Sequence, residues 1–90
     1  MSKHMGRKER WTRVNAKEYR ALFGVVRYER GAWEGTVVYE ARSEAVDAPA
    51  WQTARCPAGR YKRPRNAMMA VEGKAQELQR QLKDTVQIQV

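Results

Sequence analysis

Residues Tyr19 to Arg42 read Tyr-Arg-Ala-Leu-Phe-Gly-Val-Val-Arg-Tyr-Glu-Arg-Gly-Ala-Trp-Glu-Gly-Thr-Val-Val-Tyr-Glu-Ala-Arg, and they decide the fold class. Tyr19 to Glu29 is rich in strand-forming residues. Period-two counting puts Leu22, Val26 and Tyr28 on one face and Phe23, Val25 and Arg27 on the other. Arg30-Gly31 reads as a tight turn. Ala32 to Arg42 then alternates, with Trp33, Val37 and Tyr39 against Glu34, Thr36, Val38 and Glu40. Two alternating runs around a short Gly-containing turn predict a β-hairpin.

Working outward, Ser43 to Ala50 reads as a loop, and Trp51 to Cys56 as a short third strand. Upstream, Trp11 to Asn15 suits a short extra strand, with Ala16-Lys17-Glu18 in a turn. Pro64 suits the first position of a helix. From Arg65 to about Lys83, Met68, Val71, Ala75, Leu78 and Leu82 recur at helical spacing and form one apolar stripe. Thr85 to Val90 alternates again. It reads as a fourth strand within the chain, or as a strand added to another chain.

The expected fold is therefore a small α+β domain. An antiparallel β-sheet of three to five strands is followed by one amphipathic α-helix packed on one face. The expected core is Leu22, Val26, Tyr28, Trp33, Val37, Met68, Val71, Ala75, Leu78 and Leu82. Ninety residues suit one domain. Residues 1–10 are expected as a flexible basic arm, 11–84 as the globular unit, and 85–90 as a strand or tail. His4-Met5 is open to reading as a cloning remnant.

The formal net charge is +8, which points to anionic partners rather than to a fold. The cations cluster. Lys3, Arg7, Lys8, Arg10 and Arg13 lie in or beside the arm. Arg55 to Arg65, Arg-Cys-Pro-Ala-Gly-Arg-Tyr-Lys-Arg-Pro-Arg, holds five cations and no acid. Read as a basic loop before a helix, this stretch is a phosphate site, because the first helical N–H groups and the helix dipole also attract anions. The plainer reading is a solvated charged loop. Arg60, Lys62, Arg63 and Arg65 are the phosphate candidates, and Tyr61 stacks on a base or packs on the sheet edge. Trp11 and Trp51 are open between core packing and base stacking.

Catalysis finds little support. His4 is the sole histidine and lies in the arm, so no Cys-His or Ser-His pair is expected. There is no metal-ligand cluster and no Gly-rich nucleotide loop, so neither enzyme activity nor a cofactor is expected. Cys56, the single cysteine, reads as a small strand residue. With no apolar run near 18 residues and no secretory core region, the expectation is a cytoplasmic protein with no membrane contact.

Tyr19-Arg20, Gly31-Ala32-Trp33 and Ala58-Gly59-Arg60-Tyr61 before an Ala-rich helix resemble a group of small DNA-binding domains. These have a three-stranded antiparallel sheet and one packing helix. The plant ethylene-response-factor type and the N-terminal arm-binding domain of some phage and transposon integrases share this layout. The resemblance covers Tyr19 to about Leu82. It implies a sheet laid in the DNA major groove, with Arg20, Arg27, Trp33 and Arg42 as contacts. For Trp33 this conflicts with the periodicity, which puts it in the core. Lys62-Arg63-Pro64-Arg65 is also similar to the basic helix start of double-stranded-RNA-binding domains.

The leading expectation is a small basic nucleic-acid-binding protein. Duplex DNA is favoured over RNA, in an accessory or regulatory role, with phage or mobile-element origin possible. The rival expectation is a protein-interaction module or inhibitor that uses its basic face on an acidic protein surface, with residues 85–90 mediating strand addition or a homodimer.

Overall fold

The computed structural model describes residues 10–42, 50–82 and 85–88. The arm cations Lys3, Arg7 and Lys8, the expected loop at 43–49 and the last two residues lie outside them. The α+β expectation holds. Strands β1 (Thr12–Asn15), β2 (Glu18–Ala21), β3 (Gly24–Glu29), β4 (Ala32–Arg42) and β5 (Trp51–Tyr61) pair in chain order, each antiparallel to the next. Helix α1 (Pro64–Gln81) crosses one face. Strand β6 (Val86–Gln87) pairs with the far end of β4, through Glu40↔Gln87 and Ala41↔Val86.

The hairpin turn forms as expected. Glu29 pairs with Ala32, and Arg30 (φ 55°) and Gly31 (φ 80°) both take the left-handed conformation. Two such residues in a two-residue loop match the natural twist of the flanking strands. The Asn15 side-chain oxygen accepts the Lys17 N–H at 2.8 Å and closes the turn between β1 and β2.

Three expectations need correction. First, Tyr19 to Glu29 is not one strand. Leu22 and Phe23 form a two-residue turn between the paired Ala21 and Gly24. The turn inverts the alternation, so Leu22 leaves the core (78% exposed) and Phe23 enters it (2% exposed). Second, the stretch from Arg55 is not a loop before the helix. β5 runs on to Tyr61, and only Lys62 and Arg63 link it to α1. Ala54, Cys56 and Ala58 face the helix; Arg55 faces away by alternation, and an extra residue at Ala58 shifts the parity so that Arg60 faces away too. β5 forms an edge of the sheet, where Pro57 is tolerated. Ala58 is an extra residue opposite the Gly35–Thr36 step, a β-bulge. Third, Tyr28 and Leu82 are exposed rather than core.

The observed core joins Trp11, Phe23, Val26 and Val37 to Ala67, Val71, Ala75 and Leu78 of the helix, and to Val86 and Ile88. Trp33 and Met68 pack against it, partly buried. Trp33 sits on the helix side, edge-on to Tyr28 and tilted against Tyr19. The core reading of Trp33 therefore stands, and the sheet-contact role implied by the resemblance does not fit its position. Trp11 packs edge-to-face on Phe23 and donates its indole N–H to Glu72 at 2.9 Å. Two strand glycines admit the helix. A Cβ on Gly24 would lie 2.5 Å from a Val71 methyl and 2.6 Å from the Thr36 carbonyl oxygen; one on Gly35 would lie 2.7 Å from the other Val71 methyl. Val71 thus sits where two adjacent strands carry no side chain.

Candidate nucleic-acid interface

The helix covers one face of the sheet and leaves the other open. In an antiparallel ladder directly paired residues share a face, so the pairing register lists the open side row by row. One row is Glu18, Arg27, Glu34 and Arg60, drawn from β2, β3, β4 and β5. Its charges alternate in sign across four strands. Glu18 contacts Arg27 at 3.6 Å, and Glu34 contacts Arg60 at 3.4 Å. Arg20 also binds Glu18, and Arg27 lies 4.0 Å from Glu29. The Arg20 hydrogen bond holds the Glu18 carboxyl below its ordinary value of 4.5, with Arg27 adding to the effect and burial opposing it.

The next row runs Arg20, Val25, Thr36 and Pro57, and the one beyond it pairs Val38 with Arg55. Val25, Thr36 and Val38 line a groove of about 360 Å³, together with Leu22, the cations Arg20, Arg27 and Arg55, and the carboxylates Glu29 and Glu34. Further along the open face, Thr53 donates to Glu40 at 3.0 Å, and Arg42 stands opposite the exposed Trp51.

The expected site residues thus fall into four groups. Arg20, Arg27 and Arg42 lie on the open face. Arg60 shares that face but is anchored: beyond Glu34, its guanidinium donates to the Glu29 and Arg30 carbonyl oxygens at 2.9 and 3.1 Å. It braces the hairpin turn as well as carrying charge. Lys62, Arg63 and Arg65 are exposed at the helix start, where Pro64 opens the helix and no acidic residue occupies the first turn. Tyr61 belongs to the packing. It faces the helix beside Trp33, and its hydroxyl donates to the Ala58 carbonyl oxygen at 2.9 Å.

Arg55 was not among the site residues expected from sequence, although it opened the basic stretch. The missing signal was the pairing with β4: period two alone separates Arg55 from Arg60, and the extra residue at Ala58 brings both to the side of Arg27. Among the described residues, Arg42, Arg55, Lys62, Arg63 and Arg65 have no carboxylate partner. Those residues also hold no group of metal-ligating side chains. No described helix is long and apolar enough to cross a membrane. The chain matches no known family model, no characterised protein and no solved structure.

Proposed function

We propose that this chain binds duplex nucleic acid, DNA in preference to RNA, as a non-enzymatic accessory or regulatory factor. The observation that carries the reading is the placement of Arg42 and Arg55. Both lie on the helix-free sheet face and have no carboxylate partner among the described residues. Elsewhere on that face the acids already neutralise their arginines. Cations left uncompensated on an open, grooved face suit a phosphate backbone. Trp51 beside Arg42 adds an exposed ring for stacking on a sugar or base. Lys62, Arg63 and Arg65 extend the positive surface at the end of β5.

DNA is favoured on groove geometry. The B-form major groove is about 12 Å wide and admits a β-ribbon. The A-form major groove of duplex RNA is deep and too narrow for side chains to read.

The test is anisotropy of labelled DNA and RNA duplexes titrated with the full chain at two salt concentrations. Binding should be saturable and should weaken with salt, by a log–log slope of roughly 0.9 per phosphate contacted. An Arg42→Ala, Arg55→Ala variant should bind more weakly and with a shallower slope. A variant indistinguishable from the parent would remove the open face from the site. No binding by the parent at low salt would remove the function and leave an acidic protein surface as the partner class.

A further inference from the structure

The open face carries more than charge. Val25, Thr36 and Val38 put methyl groups on the floor of the groove, and Leu22 stands in its lining with most of its side chain in water. Leu22 is held in place despite its exposure. It occupies a two-residue turn whose next residue, Phe23, is locked in the core against Trp11. The Phe23 carbonyl oxygen accepts the Val38 N–H at 2.9 Å, which ties the turn to β4. Arg20 and Arg55 lie to either side of this apolar strip, on β2 and β5.

The lining also includes Glu29 and Glu34, and methyl groups set among charged side chains are a poor surface for phosphate alone, since desolvated methyl groups return nothing to an anion. Such a surface suits a ligand that presents an apolar patch between two anionic strands. In duplex DNA the only apolar group on the base edges of the major groove is the C5 methyl of thymine. We infer that the Leu22–Val25–Val38 strip recognises thymine methyl groups in the major groove, and that this contact makes the protein prefer thymine-bearing DNA. This inference rests on the duplex-binding reading above. Uracil lacks the methyl, so the same strip adds a chemical ground for rejecting RNA to the geometric one.

The test uses two polymers that differ only in that methyl: poly(dA-dT)·poly(dA-dT) and poly(dA-dU)·poly(dA-dU). The full chain is titrated with each at low salt. The parent should bind the thymine polymer more tightly, by about fourfold for each methyl buried. Val38→Thr keeps the shape and replaces a methyl with a hydroxyl; Leu22→Ser removes the exposed side chain. Each should shrink the preference towards unity. A second pair, poly(dG-dC) with and without 5-methylcytosine, puts a methyl on the same ring position of a different base and should show a preference for the methylated form.

Equal binding of the thymine and uracil polymers by the parent, with Arg55→Ala weakening both, would overturn the methyl contact and leave duplex binding standing. A thymine preference that survives both Val38→Thr and Leu22→Ser would also overturn it, by placing the preference elsewhere. Failure to bind either polymer would remove both proposals together.

Discussion

The two faces of the sheet solve opposite problems with the same strands. Under the helix, Gly24 and Gly35 leave space that Val71 occupies, and Cys56 and Ala58 pack there beside Val26 and Val37. On the open face, the same strands carry Arg20, Arg27, Arg42, Arg55 and Arg60 with Glu18 and Glu34 among them. The covered face holds the protein together by close packing. The open face is stabilised chiefly where its charges pair, and two of its arginines have no carboxylate partner among the described residues. Stability and proposed function are therefore separable by substitution, one face at a time.

The largest effect should come from breaking the covered face at Phe23. Phe23→Ala removes the best-buried aromatic ring and the partner of Trp11, and should cost about 3–5 kcal/mol in urea unfolding. Gly35→Ala forces a Cβ against Val71 and should cost about 1–3 kcal/mol. Val71→Ala in the same chain should recover part of that cost, a coupling that a double-mutant cycle would measure. Gly24→Ala should resist the same rescue, because the Thr36 carbonyl oxygen is also in the way. Trp11→Phe keeps most of the ring but loses the hydrogen bond to Glu72, and should cost about 1 kcal/mol.

The open face should answer differently. Arg42→Ala and Arg55→Ala should each change stability by no more than about 0.5 kcal/mol while weakening duplex binding. A loss of stability comparable to that of Phe23→Ala would contradict the separation of the faces. The smallest effect concerns acid. The carboxyl of Glu18 lies below its ordinary value in the folded chain, so its contribution is complete above the unfolded value near 4.5 and is lost as pH falls through the lower folded value. Unfolding followed below pH 4.5 should show this loss in the parent and less of it in Glu18→Gln.

Much of this was legible in the residues, wherever local chemistry agreed with tertiary packing. Gly31 marked its turn because glycine takes the left-handed backbone that the turn needs, whereas the positive φ of Arg30 had no signal in its residue type. Ala32 to Arg42 alternated cleanly and became β4 over those same residues. The stripe through Val71, Ala75 and Leu78 marked the buried helix face. The misses share a cause. Leu22-Phe23 carries none of the Gly, Pro or Asn punctuation of a turn, so the run looked continuous and the burial of its residues came out inverted. The basic stretch looked like a loop because charge density hid its alternation, and only pairing with β4 shows which side Arg55 takes. Trp11 reaches the core through Phe23 and Glu72, both far from it in the chain, and period counting cannot see such contacts.

The bulge at Ala58 has a consequence for the protein in concentrated solution. Among the described residues β5, eleven residues long, pairs on one side only, with β4. A straight strand of that length at a sheet edge is a template on which further chains can stack. Pro57 offers no N–H to a newcomer, and the bulge, with Gly59 at a positive φ of 107°, breaks the repeat that an added strand would have to match. Arg55 adds repulsion between copies that carry the same charge. The irregular half of β5 thus acts as a guard against fibrillar self-association, and replacing Pro57 with valine would weaken it.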